Sequence, residues 1–178
     1  AVEGAMRALN FAKKHNVKKV VLTSSVAAIF ETGTEKVFYD ESDWSDPNSP
    51  KISNYAKSKT LAEKAAWNFL EQEDNPFEFT VINPALVIGP SLSGDLGVSN
   101  TAIEMVVTGK MPVAIPIQFG FVDVRDVASA HVLAMENKSS NGERFALAEC
   151  DLWYKDIAKL LRENGFNKAP TFAVPVWL

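Results

Sequence analysis

Stretches typical of strands alternate with stretches typical of helices along this chain. Val20 to Thr23 is an apolar run of the kind found in buried strands, and residues 54–72 carry apolar side chains at helical spacing. A second strand-like run covers residues 79–88, and residues 124–136 again have helical spacing. Strands that are separated by helices predict an α/β fold with a mostly parallel sheet, because parallel strands need long crossover connections.

The same spacing rules predict the other elements. They are a helix ending near His15, a helix over 99–109, short strands at 121–122 and 144–147, and a helix over 151–164. Residues 31–52 are mostly polar and predict a loop, and residues 89–98 predict a flexible segment. The side chains that we expect to face inward are Leu61, Ala62, Ala65, Phe69 and Leu70 in the long helix, and Trp153, Ile157, Leu160 and Leu161 in the last one.

Pro84 interrupts the second strand-like run. Proline cannot donate a hydrogen bond to a neighbouring strand, so the strand is predicted to end at Asn83. The backbone should then leave the sheet at the carboxyl edge of that strand.

Composition excludes several classes of function. A net charge of −4 over 178 residues gives no electrostatic reason to expect nucleic acid or a membrane surface as a partner. Cys150 is the only cysteine, which rules out an intrachain disulfide and favours a reducing compartment. No apolar run approaches the ~20 residues that span a bilayer. We therefore predict a cytoplasmic protein. Two histidines and one cysteine give no metal-ligand spacing, and His131, inside a predicted helix, is interpreted as structural.

Tyr55 and Lys59 are four residues apart in the long helix, so they share one of its faces. Ser24 and Ser25 follow the first strand, and ligands of open parallel sheets bind beyond the carboxyl ends of strands. A lysine ammonium stabilises a nearby phenolate, and a serine hydroxyl can hold a substrate oxygen by hydrogen bonding. A hydroxyl, a phenol and an ammonium in one crevice predict a site of proton transfer.

Four stretches resemble the extended short-chain dehydrogenase/reductases. They are residues 20–25, 55–63, 83–90 and 121–128, in the order that the family has them. Within that family, residues 63–67 and 40–44 are most similar to the branch with dihydroflavonol reductase, cinnamoyl-CoA reductase and methylglyoxal reductase. The resemblance implies a Rossmann-like, doubly wound parallel sheet.

The resemblance also implies roles for individual residues. Ser25 matches the catalytic serine better than Ser24 does, Tyr55 matches the proton donor, and Lys59 matches the residue that holds the nicotinamide ribose. Asp123 and Arg125 match a structural turn. The residues that it implies for cofactor binding are Thr23, Tyr55, Lys59, Pro84, Ala85, Leu86 and Val87.

The activity that the resemblance implies is reduction of a ketone or aldehyde by NADPH, with NADH possible. The partner would be a small carbonyl compound, and the protein would be a monomer or homodimer. Two alternatives stay open at this point: a nucleotide-sugar epimerase or dehydratase with bound NAD, and a protein that binds a dinucleotide without catalysis.

The sequence departs from the family pattern in two respects. The glycine-rich phosphate loop, Gly-x-x-Gly-x-x-Gly, does not occur. We therefore expect residues 1–178 to be the C-terminal portion of a single reductase domain. That portion would hold the catalytic half of the sheet and part of a small substrate lobe, at about 89–120 and 148–178. Phe30 and Asn54 replace residues typical of plant dihydroflavonol and cinnamoyl-CoA reductases, so neither plant substrate is predicted.

Overall fold

The computed structural model describes residues 1–31, 36 and 38–174, which form two compact units. The first unit comprises Ala1–Pro84 and Ala128–Leu147, and the second comprises Ala85–Val127 with the described part of Ala148–Leu178. The second unit covers nearly the ranges expected for a substrate lobe, although that role stays a prediction. Parts of the predicted loop (32–35 and 37) and of the lobe (175–178) lie outside the described residues. No helix in the described ranges is both long and apolar enough to cross a membrane.

The fold is α/β, as the alternating pattern predicted. In chain order its elements are α1 (Val2–Lys14), β1 (Lys19–Thr23), a 3-10 turn (Val26–Ala28), α2 (Asn54–Gln72), β2 (Glu78–Pro84), β3 (Leu86–Ile88), α3 (Gly97–Val107), β4 (Gln118–Asp123), α4 (Val124–Glu136), a second 3-10 turn (Lys138–Ser140), β5 (Arg144–Leu147), β6 (Cys150–Trp153) and α5 (Tyr154–Glu163).

The sheet of the first unit has three parallel strands in the order β1-β2-β5. Thr23 at the end of β1 pairs with Ile82 of β2, and Pro84 at the end of β2 pairs with Leu147 of β5. The three strands therefore end at one edge of the sheet, which is where the sequence predicted the site.

Helices cover both faces of this sheet, as in a doubly wound fold. Successive side chains of a strand point to opposite faces. Phe79 and Val81 of β2 are buried with α1 and α2, whereas Ile82 lines a groove with Ala130 and Leu133 of α4. The core on the α1 and α2 side consists of Leu9, Ala12, Ala66, Phe69, Leu70, Phe77, Phe79 and Val81.

The second unit contains its own small sheet, in the order β3-β4-β6. β3 and β4 are parallel, and β6 is antiparallel to β4, so the sheets as a whole are mostly parallel. A separate core packs α5 against α3 and the segment after it, with Val106, Ala114, Tyr154, Ala158 and Ala169 buried. Burial raises the pKa of Tyr154, whose hydroxyl has no hydrogen-bond partner within the described chain.

The helix predicted over 151–164 begins only at Tyr154. Residues 150–153 instead form β6, because their backbone pairs with β4. The inward face was therefore wrong at two positions: Trp153 is 41% exposed and Leu160 is 52% exposed. Tyr154, Ile157 and Ala158 are the buried residues of α5.

Two expectations for α2 and β2 also need correction. Leu61 is 39% exposed, because the buried face of α2 runs through Thr60, Glu63 and Ala66. The buried face of α2 thus includes a glutamate that was not among the residues predicted to face inward. Pro84 is the last residue of β2 and not the first residue beyond it. Proline is tolerated there because the ladder ends, and the chain does leave the first sheet, since β3 belongs to the second one.

Candidate active site

The carboxyl end of β1 carries both predicted serines, and both are buried. The Ser24 amide donates to the Ile82 carbonyl at 2.8 Å, which extends the pairing with β2 by one residue. Ser25 is extended and caps the first 3-10 turn, because its Oγ accepts from the Ala27 amide at 3.2 Å. The cap fixes the backbone of Ser25 at the edge of the sheet.

The two serine side chains differ in their surroundings. The Ser24 hydroxyl is buried and has no hydrogen-bond partner within the described ranges. The carbonyl of Ser25, by contrast, accepts from Nδ2 of Asn83 at 3.1 Å, so β2 holds Ser25 from below. The choice of Ser25 over Ser24 as the catalytic candidate stays a prediction.

Tyr55 lies in the first turn of α2, where local hydrogen bonds position it. Ser53 caps the helix by accepting from the Ala56 amide at 3.1 Å. Glu31 accepts from both the amide (2.8 Å) and the hydroxyl (3.0 Å) of Ser53. Tyr55 is 58% exposed, and its hydroxyl makes no hydrogen bond to any residue that the structure describes. The phenol is therefore accessible to a ligand.

Lys59 connects α2 to the end of β1. Its Nζ lies 3.3 Å from the Ser24 carbonyl and 3.5 Å from the Thr23 carbonyl, and 6.0 Å from the centre of the Tyr55 ring. A lysine ammonium has three N–H donors. The two carbonyls engage two of them, which leaves one N–H for a further oxygen.

The structure thus brings together Thr23, Ser24, Tyr55 and Lys59, as the sequence predicted. The turn that Ser25 caps also contacts α2, but no hydrogen bond joins Ser25 to Tyr55 among the described residues. The remaining predicted cofactor residues are divided between the units. Pro84 ends β2 in the first unit, whereas Ala85, Leu86 and Val87 belong to the second, the last two within β3.

His131 contacts this region in a way that the sequence did not predict. Its Nε2 lies 2.7 Å from the Oγ1 of Thr23, so α4 is joined to the end of β1. The interpretation of His131 as a structural residue agrees with this contact. Its proximity to Thr23 depends on two segments that are 108 residues apart in the chain, and no local pattern could have revealed it.

Sequence analysis also missed the buried polar residues around the site. Ser45 is fully buried in the polar loop: its hydroxyl donates to the Ala27 carbonyl at 2.7 Å and its amide donates to the Ala28 carbonyl at 2.9 Å. Glu63 lies inside the first unit, paired with Arg144. Only Glu63 gave a signal in the sequence, because it follows Lys59 by one helical turn and shares its face.

Asp123 and Arg125, which resembled a structural turn, form an ion pair in the second unit. The Arg125 amide and guanidinium both donate to the Asp123 carboxylate, at 2.8 Å and at 2.6 to 2.9 Å. These hydrogen bonds lower the pKa of Asp123 from 3.8 to about 2. The carboxylate therefore stays ionised at any ordinary pH.

The described residues fit one end of a nicotinamide dinucleotide. The remaining N–H of Lys59 suits a ribose hydroxyl, and the exposed phenol of Tyr55 suits the oxygen of a substrate. The pyrophosphate is different: the family binds it with a Gly-x-x-Gly-x-x-Gly loop at a strand-to-helix turn, and that pattern does not occur in the 178 residues. The residues named above therefore suit the reacting end of the cofactor.

Comparison with known proteins places these observations in a family. The chain is 42% identical over 169 residues to cinnamoyl-CoA reductase CAD2 of Medicago truncatula, with 92% of this chain and 51% of the relative covered. It is 37% identical to the NADPH-dependent methylglyoxal reductase GRE2 of Saccharomyces cerevisiae, with 92% and 54% covered. The chain thus spans about half the length of the curated relatives it matches.

The fold has solved counterparts too. The crystal structure of yeast methylglyoxal/isovaleraldehyde reductase Gre2, complexed with NADPH, superimposes with a TM-score of 0.80 at 31% identity, covering 92% of this chain and 54% of that one. The family model for the NAD dependent epimerase/dehydratase family matches residues 1–148, which include every predicted site residue. On its sequence, its Rossmann-like sheet and these matches, the chain belongs to the NAD-dependent epimerase/dehydratase family.

Proposed function

We propose that this chain carries the proton-transfer residues of an NAD(P)H-dependent reductase that converts a ketone or aldehyde to an alcohol. The observation that carries the proposal is the position of Lys59, whose ammonium lies 3.3 Å from the Ser24 carbonyl at the end of β1 and 6.0 Å from the centre of the Tyr55 ring. Relatives that are named as reductases favour this chemistry over others in the family.

Each side chain has a role in this proposal. Tyr55 donates the proton that the substrate oxygen gains, because its phenol is exposed at the site. Lys59 stabilises the resulting phenolate electrostatically and holds the ribose through its remaining N–H. Ser25 steadies the substrate oxygen by a hydrogen bond. The nicotinamide supplies the hydride when the cofactor is bound.

NADPH is the proposed cofactor, and NADH is the second choice. The yeast relative is NADPH-dependent by name, and its structure contains NADPH. In this chain, Thr23, Tyr55, Lys59 and Pro84 would contribute from the first unit. Ala85, Leu86 and Val87 would contribute by their match to the family pattern. The substrate would be a small carbonyl compound, the location cytoplasmic, and the protein a monomer or homodimer.

The test is replacement of the phenol in the full-length protein. Tyr55→Phe should reduce kcat for carbonyl reduction by about 10²- to 10⁴-fold, the usual contribution of a positioned acid. The melting temperature should not change, because the Tyr55 hydroxyl makes no hydrogen bond within the described chain. Tyr39→Phe removes a phenol from the polar loop and should retain activity. Unchanged reduction by Tyr55→Phe would refute the assignment.

The family name keeps a second function open, the epimerisation or dehydration of a nucleotide sugar. An enzyme of that kind holds NAD tightly and regenerates it in each cycle. Absorbance of cofactor released from the purified full-length protein distinguishes the two. The reductase should release little nucleotide and should consume added NADPH in proportion to the alcohol formed.

A further inference from the structure

A buried ion pair lies beneath the candidate site. The side chain of Glu63 is 0% exposed and that of Arg144 is 8% exposed, and Arg144 Nε lies 2.6 Å from Glu63 Oε1. Ionised groups are costly to bury unless each is paired and hydrogen-bonded. Glu63 follows Lys59 by one turn of α2, so its carboxylate points into the first unit beside the predicted catalytic residues.

From Glu63 a short chain of hydrogen bonds leads to Ser25. The second carboxylate oxygen, Oε2, accepts from Nδ2 of Asn83 at 2.8 Å, and the same nitrogen donates to the Ser25 carbonyl at 3.1 Å. A carboxylate can only accept hydrogen bonds. Glu63 therefore requires the amide nitrogen of Asn83 to face it, and this orientation also directs that nitrogen towards Ser25.

The orientation of the Asn83 amide leaves its oxygen without a hydrogen bond to any described residue, which supports the view that Glu63 imposes this orientation. Asn83 is fully buried, and its Oδ1 has no hydrogen-bond partner in the described part of the chain. A buried carbonyl without a partner is unfavourable. The two bonds made by Nδ2 must outweigh that penalty, so the amide is held by Glu63 and Ser25 together.

On its other side, Arg144 binds the polar loop. Its Nη1 donates to the carbonyls of Glu41 and Asp43, at 2.6 and 2.7 Å, and its guanidinium lies 3.7 Å from the centre of the Trp44 ring. The carboxylate of Glu41 accepts from the Ala146 amide at 3.0 Å, which attaches the loop to β5. The ion pair therefore joins the loop and β5, through Arg144, to α2, through Glu63. The hydrogen bond from Asn83 to Glu63 extends this connection to β2.

We infer that Glu63 and Arg144 are positioning residues, which fix the backbone of Ser25 through Asn83 and couple it to the segment Glu41–Trp44. This inference rests on the proposed function for its effect on catalysis. Neither residue touches the substrate. Glu63 sets the orientation of the Asn83 amide, and Arg144 neutralises the carboxylate while it holds the loop.

The test is a double-mutant cycle in the full-length protein. Glu63→Gln keeps the size of the side chain but lets its amide donate, so the orientation of Asn83 is no longer imposed. We expect kcat to fall by about tenfold or more, with less than about a twofold change in KM for NADPH. In the Ser25→Ala background the same change should cost less than about twofold, because the hydroxyl that it positions is gone.

A matched control separates positioning from lost stability. Leu70→Ala weakens the core of the same unit without touching the site. Its effect on kcat should be the same with and without the Ser25 hydroxyl. Arg144→Lys keeps the positive charge but should still lower kcat below the wild-type value. One ammonium cannot reproduce the planar contacts to Glu63, two loop carbonyls and Trp44. Equal losses from Glu63→Gln in both backgrounds would overturn the inference.

A second measurement does not depend on activity. The Ala28 amide donates to the Ser25 carbonyl at 2.9 Å and the Ala27 amide donates to its Oγ. Hydrogen exchange of these amides should accelerate by about tenfold in Glu63→Gln relative to Leu70→Ala. If Tyr55→Phe left carbonyl reduction unchanged, the proposed function would fail while this exchange still decided the positioning role. Unchanged exchange would refute that role.

Discussion

Lys59 and Tyr55 lie one turn apart on α2, and the Lys59 ammonium is 6.0 Å from the centre of the Tyr55 ring. The same ammonium faces the Ser24 and Thr23 carbonyls, so the lysine links the helix to the end of β1. Loss of the Lys59 ammonium therefore removes both contacts at once.

Lys59→Met in the full-length protein should lower kcat/KM by about a hundredfold, because the phenolate loses its stabilising charge. KM for NADPH should rise as well, since the proposed ribose contact is lost. Lys57→Met is the matched control: Lys57 lies on the same helix but is exposed. Steady-state kinetics of the two variants check the prediction, and equal losses would contradict a specific role for Lys59.

Ser25→Ala and Ser24→Ala should differ in both activity and stability. Ser25→Ala removes the cap of the 3-10 turn, and we expect it to cost about 0.5–2 kcal/mol in unfolding free energy and to reduce the reaction rate. Ser24→Ala removes a buried hydroxyl that has no partner within the described ranges, so its stability should stay within about 0.5 kcal/mol of wild type or rise. Urea denaturation of both variants measures this. A larger cost for Ser24→Ala would be inconsistent with the structure.

Gly89→Ala should destabilise the second unit. Gly89 has a backbone φ of +135°, which residues other than glycine rarely adopt, and an added Cβ would lie 2.9 Å from Cγ1 of Val124. The expected cost is more than about 1 kcal/mol, from both backbone strain and the clash. Gly4→Ala is the matched control, because Gly4 lies in α1 with open space around it and should gain about 0.5–1 kcal/mol. Thermal unfolding of the two variants should shift in opposite directions.

The pH dependence of stability should include a contribution from Asp123. Its folded-state pKa is lowered from 3.8 to about 2, chiefly by the side-chain hydrogen bond from Arg125. This stabilisation is therefore complete above the unfolded value of 3.8 and is lost as pH falls towards 2. Asp123→Asn should melt below wild type at neutral pH, and the difference should shrink in that acid range. A constant difference would contradict the assignment.

Residues 1–178 alone should bind NADPH weakly or not at all. The sequence offers residues for the nicotinamide end, but the Gly-x-x-Gly-x-x-Gly loop that would bind the pyrophosphate does not occur in it. Reduced nicotinamide mononucleotide should then bind as well as NADPH does, since the adenosine half finds no site. Isothermal titration calorimetry with both compounds checks this, and a micromolar dissociation constant for NADPH would refute it.

Local pattern was sufficient to predict most of the fold and to propose the residues of the candidate site. The bounds predicted for α2, α4 and β5 match those of the structure, because their helical or strand spacing is strong and their ends carry clear signals. Tyr55, Lys59 and the two serines could be found because a four-residue helical spacing and a strand end are local properties. The resemblance to a family added the distinction between Ser24 and Ser25.

Tertiary structure decided the rest, because it depends on pairs that are distant in sequence. Residues 150–153 form β6, and not the first turn of the last predicted helix, because their backbone pairs with β4. Glu63 lies on the buried face of α2, although it was not among the residues predicted to face inward, because Arg144 lies 81 residues away in sequence but 2.6 Å away in space. The sequence by itself determined which side chains are candidates for proton transfer; the packing of α2, β2 and β5 determined what holds them, since buried charges need partners that no local pattern specifies.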